Sequence, residues 1–112
     1  MPTPHRPPLA VERALRQLGR DLRTARLRRR LSMQTVAERA FTSRPTLQRV
    51  ERGDSGVGMG IYAAVVNALG LLDRLAAVTS PREDEVGLAL AEEDLPQRAG
   101  EWAGRKRERN EG

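Results

Sequence analysis

The chain has 112 residues and a formal net charge of +5, so its length allows one small core with tails and not two cores. It contains no cysteine, which excludes disulfides and thiolate metal sites and is typical of a cytoplasmic protein. No stretch approaches the roughly 18 apolar residues of a membrane span, so we expect no membrane partner. We also expect no enzyme activity, no cofactor and no metal, because the single histidine, His5, has no partner for catalysis or ligation and no phosphate-binding glycine motif occurs.

The charge is distributed unevenly along the chain. Residues 1–53 contain thirteen arginines and four acidic residues, a net charge of +9, whereas residues 54–100 have a net charge of −5. A basic surface favours a polyanionic partner, and an acidic surface does not. We therefore expect the two parts of the chain to contact different partners.

The N-terminal part predicts an arm followed by a long helix. Residues 1–10 are rich in proline and are expected to be a flexible arm. Apolar residues then recur at helical spacing and predict a first helix over about residues 11–30. These apolar residues are Leu15, Leu18, Leu22 and Ala25.

Residues 31–53, LSMQTVAERAFTSRPTLQRVERG, predict two short helices joined by a tight turn. Ser32 and Ser43 each precede an apolar pattern and are suited to an N-cap, and Gly53 is suited to a left-handed helix end. A three-residue joint between helices this short has the proportions of a helix-turn-helix. The second helix carries polar side chains where a major groove would be contacted, so the segment predicts DNA binding.

The rest of the chain predicts further helices and one ambiguous element. Apolar residues in GVGMGIYAAVVNALG predict a fourth helix, with Met59 and Tyr62 expected in the core, and the pattern continues into a fifth. Ser80 and Glu83 resemble a capping box that would open an element at residues 81–95. Within it, the pattern of residues 86–90 fits both a strand and a helix, and the alternatives stay open. We expect a DNA-binding domain at residues 11–79, a dimerisation or partner-binding extension at 80–95 and a flexible charged tail at 96–112.

Two stretches of the sequence resemble known families. LGRDLRTARLRRRLSMQTVAERAFTSRPTLQRVERG is similar to the Xre-type, lambda-repressor-like helix-turn-helix domain, and this likeness runs from about Leu18 to Leu69. SRPTLQRVERGD, followed by GVGMGIYAAVVNALGLLDRL and an acidic GLAL segment, resembles the HipB-like antitoxins that partner HipA-like kinases. The resemblance implies an all-α, lambda-repressor-like bundle of about five helices, with a short C-terminal extension and disordered termini.

The resemblance also implies roles for individual residues. Contacts to base edges are implied for Ser43, Arg44, Gln48 and Arg49. Contacts to DNA phosphates are implied for Ser32 and Thr46, and we expect one from Gln34 as well. The run Arg28, Arg29 and Arg30 lies beside the recognition helix and predicts further phosphate contacts; the alternative is a solvated charged face. A buried ion pair is implied between Arg26 and Glu51, where loss of one partner would cost about 3–5 kcal/mol.

The chain departs from the family pattern at three positions. Met33 stands where the family has glutamine, so a polar contact is missing at the start of the second helix. Phe41 stands where the turn has a glycine with positive φ, so either the backbone is strained by about 1–3 kcal/mol or the turn is built differently. Pro45 lies in the first turn of the recognition helix, where the missing N–H is tolerated.

The sequence leaves two functions open. In the first, the protein is an antitoxin that represses its own operon by binding a palindromic operator in double-stranded DNA, as a nucleoid-associated homodimer, and that binds a HipA-like kinase toxin. In the second, it is a stand-alone dimeric repressor without a toxin. Trp102 is either incidental in a polar tail or an anchor for a partner. The expected two-fold interface uses the surplus apolar residues Leu71, Leu72, Leu75, Val78, Val86, Leu88 and Leu90. The alternative is that about half of these residues cover the four-helix core.

Overall fold

The computed structural model describes residues 6–93. All regular secondary structure in this part of the chain is helical, and turns and short loops connect the helices. The helices are α1 (Leu9–Arg28), α2 (Met33–Arg39), α3 (Arg44–Glu51), α4 (Met59–Ala68), α5 (Leu72–Ala77) and α6 (residues 85–93). The predicted all-α class is confirmed, and residues 86–90 lie in a helix, so the strand alternative is wrong. His5, Trp102 and the predicted tail lie outside the described residues.

Helix α1 is displaced by two residues from the predicted range at each end. It begins at Leu9, so residues 9 and 10 belong to the helix and not to the arm. Pro8 precedes it with a φ of −53°, which is close to the angle that the proline ring enforces and that a helix start requires. The helix ends at Arg28, after which Arg30 has a φ of +53° and leaves the helical conformation.

Serine N-caps begin α2 and α3 as the sequence predicts. The Ser32 hydroxyl accepts a hydrogen bond from the backbone N–H of Thr35 at 3.0 Å. The Ser43 hydroxyl accepts one from the backbone N–H of Thr46 at 3.2 Å. Each serine thereby satisfies one of the free N–H groups at a helix start, which stabilises the helix by about 1 kcal/mol.

The predicted capping box at Ser80 and Glu83 is wrong. The backbone N–H of Glu83 bonds the carbonyl of Ser80 at 3.0 Å, so this segment is a tight turn. The N-cap of α6 is Asp84, whose Oδ1 accepts a hydrogen bond from the Gly87 N–H at 3.0 Å. Aspartate is at least as good an N-cap as serine, and its charge interacts favourably with the helix N-terminus, which explains why the helix begins there.

Four of the described helices end in the same hydrogen-bonding motif, in which the second residue after the helix adopts positive φ and two N–H groups bond back to the last turn. Glycine takes the left-handed position after α3 and α4, at Gly53 and Gly70. Non-glycine residues take it after α1 and α2, at Arg30 and Phe41, the latter with a φ of +55°. Phe41 therefore has the left-handed backbone that was one of the two expectations, and the alternative of a differently built turn is wrong.

The core of the first compact unit, which ends at Leu75, is built from small and branched apolar side chains. Helix α3 packs against α1 and α2, and α2 packs against α4. The fully buried side chains are Leu47, Val36, Val50 and Val65. Tyr62 is buried as predicted, whereas Met59 is 68% exposed, so the prediction that Met59 is a core residue is wrong. Met59 opens α4 in its first turn, outside the apolar stripe.

The backbones of α1 and α3 approach each other closely. A Cβ atom at Gly19 would lie 2.6 Å from the carbonyl oxygen of Glu51 and 2.7 Å from the N atom of Gly53. Only a residue without a side chain fits at this crossing, and Gly53 in addition has a φ of +73°. The two glycines therefore fix the distance between α1 and the end of α3.

The second compact unit begins at Ala76, and its described part contains α6. Its large apolar side chains are exposed: Val78, Val86, Leu88 and Leu90. The same unit contains the acidic residues Glu83, Asp84, Glu85, Glu92 and Glu93, all exposed. This unit thus combines an apolar and an acidic surface.

Candidate nucleic-acid interface

Helix α3 buries one side and exposes the other. Leu47 and Val50 are fully buried, while the polar residues that the sequence analysis assigned to base contacts are exposed. We call these residues the reading face: Ser43, Arg44, Gln48 and Arg49. Arg44 and Gln48 are four residues apart and therefore lie one above the other on the helix surface. The short helix thus presents two arginines and an amide on its exposed side.

The hydroxyl groups at the start of α3 form a small network. Ser43 donates its hydroxyl hydrogen to Oγ1 of Thr46 at 2.9 Å, and it accepts the Thr46 backbone N–H. The hydroxyl hydrogen of Thr46 is then left to donate outward. Because phosphate oxygens only accept hydrogen bonds, Thr46 is suited to the phosphate contact predicted for it.

The start of α2 repeats this arrangement. Ser32 donates its hydroxyl hydrogen to Oγ1 of Thr35 at 2.9 Å, which leaves the Thr35 hydroxyl as the outward donor. Gln34 donates to Oε1 of Glu38 at 2.9 Å along the exposed side of α2. Thr35 is a residue that the sequence analysis did not assign to phosphate contacts, and its signal was the Ser-x-x-Thr spacing shared with Ser43 and Thr46.

The arginines predicted to contact phosphates lie at the end of α1. Arg28, Arg29 and Arg30 are all exposed. One Nη1 of Arg29 donates to the carbonyl oxygen of Ala25 at 3.0 Å, one turn back on the helix. The three guanidinium groups thus lie on the surface shortly before α2 begins, where a polyanion can reach them.

Arg26 and Glu51 link α1 to the end of α3. Arg26 Nε donates to Oε2 of Glu51 at 2.7 Å, Nη2 donates to Oε1 at 3.0 Å, and Nη1 donates to the Leu31 carbonyl oxygen at 3.3 Å. The side chains are 9% and 8% exposed. The hydrogen bonding of Arg26 to Glu51 raises the pKa of Arg26 above its ordinary value, against an opposing effect of burial. This buried pair therefore joins α1 to the C-terminal end of α3.

A second ion pair, which the sequence analysis did not foresee, involves Arg49 itself. Arg49 Nε donates to Oδ2 of Asp54 at 2.8 Å, and Oδ1 of Asp54 accepts the Gly56 N–H at 2.7 Å. These hydrogen bonds, from Arg49 first and Gly56 second, lower the pKa of Asp54. The signal in the sequence was Asp-Ser-Gly, since aspartate commonly bonds the N–H two residues on. The loop after α3 is therefore held by hydrogen bonds at several points.

Tyr62 of α4 holds the same loop from the opposite side. Its hydroxyl donates to the carbonyl oxygen of Asp54 at 2.7 Å, and the residue is 5% exposed. Burial, and secondarily the charge of Asp54, raises the pKa of Tyr62 above its ordinary value. The phenol therefore remains a hydrogen-bond donor at neutral pH, and the backbone of Asp54 is anchored to the core.

Phe41 lies at the turn between α2 and α3 and is 96% exposed. Its left-handed backbone is satisfied by two hydrogen bonds, from its own N–H to the Glu38 carbonyl at 3.1 Å and from the Thr42 N–H to the Ala37 carbonyl at 2.9 Å. The aromatic ring contributes little to the core. The turn is therefore maintained by backbone bonds and not by this side chain.

The described residues include no group of three or more histidine, cysteine or acidic side chains placed to hold a metal ion. Between residues 6 and 93, no helix is both long enough and apolar enough to cross a membrane.

These features define a class of protein. A helix with an exposed polar face, set against a serine-capped preceding helix by a short turn, is a helix-turn-helix, a module that binds DNA. A family model described as a helix-turn-helix domain matches residues 17–78, and the chain belongs to this family. The matched range contains α2, the turn, α3 and α4. No curated protein and no solved structure matches the chain.

Proposed function

We propose that this protein is a sequence-specific transcriptional repressor that binds a palindromic DNA operator as a homodimer. The main support for this proposal is the reading face of α3. Leu47 and Val50 pack this helix into the core, and its exposed polar residues are Ser43, Arg44, Gln48 and Arg49. Arginine grips the O6 and N7 atoms of guanine together, and each good pair of this kind supplies about 1–3 kcal/mol of discrimination.

The surface charge supports a polyanionic partner. The exposed residues of α1 and of the segment that follows it include Arg13, Arg16, Arg20, Arg23, Arg28, Arg29 and Arg30. Phosphate contacts from such residues supply affinity that is independent of sequence, and they fix the position of the protein on the duplex. Base contacts from α3 then supply the sequence preference.

A dimer follows from the small size of one reading face. A single short helix contacts too few bases for a specific operator, so helix-turn-helix domains commonly pair and bind two half-sites that are one helical turn apart. The exposed apolar residues Val78, Val86, Leu88 and Leu90 of the second compact unit support a surface for a second copy.

The test of this proposal is the selection of binding sites from a pool of random DNA duplexes at roughly 150 mM salt. We expect the wild-type protein to enrich a motif with two inverted half-sites whose centres are about 10 base pairs apart. An enriched pool that is indistinguishable in sequence from the starting pool would refute a sequence-specific function.

A second candidate function is that of an antitoxin that binds a HipA-like kinase. Its support is the second compact unit, where helix α6 combines the exposed apolar residues Val86, Leu88 and Leu90 with the exposed acidic residues Glu85, Glu92 and Glu93. Such a surface is unsuited to DNA and suited to a protein. Co-purification from the native lysate tests it: a stoichiometric kinase-like partner supports the antitoxin, and self-association alone favours a stand-alone repressor.

The two activities are separable by mutation. We expect Arg44→Ala to abolish operator binding and leave binding of a kinase partner intact, since Arg44 lies on α3 and not on the second unit. Deletion of residues 96–112 tests the proposed role of Trp102 as a partner anchor. A truncated protein that retains every interaction would refute that role.

A further inference from the structure

Arg49 of the reading face is held by a neighbouring carboxylate. Its Nε donates to Oδ2 of Asp54 at 2.8 Å, and the two side chains are 47% and 38% exposed. The carboxylate is itself fixed, because Oδ1 accepts the Gly56 N–H at 2.7 Å and the backbone carbonyl of Asp54 accepts the hydroxyl of buried Tyr62 at 2.7 Å. Asp54 thus has a defined position relative to both α3 and α4.

The bond to Asp54 occupies only one edge of the guanidinium group. Arginine has five N–H donors, and the edge formed by Nη1 and Nη2 remains available for two parallel bonds to a base. Gly56 lies beside this edge, since a Cβ atom there would be 3.1 Å from Nη2 of Arg49 and 3.1 Å from Oδ1 of Asp54. The absence of a side chain at residue 56 leaves space for both groups.

We infer that Asp54 is a positioning residue for DNA recognition: it holds Arg49 with its Nη edge presented to a guanine and thereby sets the base preference at one position of each half-site. This inference rests on the proposed sequence-specific DNA binding. An arginine side chain that is already fixed by Asp54 loses less conformational freedom when it binds a base. Without that bond, we expect the contact of Arg49 with its guanine to weaken roughly two- to tenfold.

The alternative explanation is that the ion pair only stabilises the fold. An exposed pair of this kind contributes little to stability, so its removal barely changes the melting temperature. A role in positioning predicts something different, namely a change in the discrimination between bases without a matching change in stability. The two explanations therefore differ in a measurable quantity.

The experiment compares Asp54→Asn with the wild-type protein on the selected operator and on the same operator with each guanine of one half-site replaced. The ratio of the two affinities is the specificity ratio. We expect it to fall roughly two- to tenfold at one guanine, with the melting temperature lowered by less than about 3 °C. Asp73→Asn on α5 is the matched control, because it removes the same charge from an exposed position.

Two further variants separate positioning from charge. Gly56→Ala changes no charge, and its methyl group crowds both Arg49 and Asp54, so it should lower the specificity ratio at the same guanine. In an Arg49→Ala background, Asp54→Asn should change the ratio no further, because the side chain that it positions is gone. Loss of a distinct Arg49 Nε–H signal in the NMR spectrum of free Asp54→Asn protein would report the broken contact directly.

The outcomes are distinguishable. A specificity ratio that is unchanged in Asp54→Asn overturns the inference, and so does a ratio that rises, since Asp54 would then compete with the base for Arg49. Either result, on an operator that the wild-type protein selects, leaves the proposed function standing. Failure of the wild-type protein to select any sequence overturns both.

Discussion

Arg26 and Glu51 join α1 to the end of α3 by two parallel hydrogen bonds, at 2.7 and 3.0 Å. Both side chains are more than nine-tenths buried, and a third bond from Arg26 reaches the Leu31 carbonyl at the start of the next segment. The pair therefore fixes α3, and with it the reading face, relative to α1. This pair is buried and stabilises the fold, whereas the ion pair between Arg49 and Asp54 lies at the surface.

The first prediction concerns this buried pair. We expect Glu51→Gln to lower the free energy of unfolding by about 3–5 kcal/mol, because it leaves the Arg26 charge buried without a counter-charge. Urea denaturation measures the change. Glu38→Gln is the control, since that carboxylate bonds only Gln34 on the surface, and a loss of under about 1 kcal/mol is expected for it.

The double variant Arg26→Met with Glu51→Leu sharpens this prediction. It removes both charges and fills the space with apolar atoms, so it should be more stable than Glu51→Gln alone. Equal stability of Glu51→Gln and Glu38→Gln would show that the pair of Arg26 and Glu51 stabilises the fold no more than a surface hydrogen bond does.

The second prediction concerns the strained turn at Phe41. We expect Phe41→Gly to raise the free energy of unfolding by about 1 kcal/mol, because the residue has a φ of +55° and its exposed ring has little packing to lose. Phe41→Ala removes the ring but keeps a Cβ atom in the left-handed backbone, so no gain is expected from it. A similar effect of both substitutions would mean that the ring, and not the backbone, determines the stability of the turn.

The third prediction concerns the crossing of α1 and α3. Gly19→Ala should destabilise the fold by about 1–3 kcal/mol, although alanine is the better helix former, since its Cβ atom would lie within 2.7 Å of backbone atoms of α3 and the turn after it. Gly60→Ala in α4 is the matched control, because nothing lies within 4 Å of its Cβ position. Thermal unfolding should thus show shifts of opposite sign for the two substitutions, and a gain in both would contradict the close approach.

The fourth prediction concerns pH. Hydrogen bonds from Arg49 and Gly56 lower the pKa of Asp54 in the folded protein below its ordinary value of 3.8. The stabilisation from this carboxylate is therefore present above that value and is lost as the pH falls through the lowered pKa. An NMR titration of the Asp54 carboxyl carbon should show the lowered pKa in the wild-type protein and a rise toward 3.8 in Arg49→Ala.

Arg52→Ala is the control for this titration. Arg52 acts on Asp54 only through its charge and is the weakest of the contributions to the lowered pKa. The pKa should therefore move far less in Arg52→Ala than in Arg49→Ala. Equal shifts in the two variants would mean that the net charge of the neighbourhood, and not the hydrogen bond, lowers the pKa.

The sequence predicted those features that depend on neighbours a few residues apart. Ser32 and Ser43 are N-caps because a side-chain oxygen and the N–H three residues on meet in any helix start. The burial of Leu47 and Val50 followed from helical spacing. Gly53 was predicted at a helix end for a conformational reason that the structure bears out.

Other features could not be predicted from the local spacing of residues in the sequence. The left-handed conformation of Arg30 opposes the preference of arginine, and no local pattern marked it; at Phe41 the sequence left a strained backbone and a differently built turn open. The pattern at Ser80 and Glu83 resembled a capping box, but the helix begins later, where Asp84 accepts a hydrogen bond from the Gly87 N–H. The bond between Arg49 and Asp54 depends on where the loop after α3 turns, which Tyr62 determines from α4.

Helix α3 determines which DNA sequence the protein prefers, and the specificity ratio of Arg44→Ala tests this most directly. The ratio compares the affinity for the selected operator with the affinity for a scrambled duplex of equal length, at fixed salt. Loss of one good guanine contact should lower it by a factor of about ten or more per half-site. Arg13→Ala on α1 is the control, which should weaken both duplexes alike. An unchanged ratio in Arg44→Ala would contradict the account.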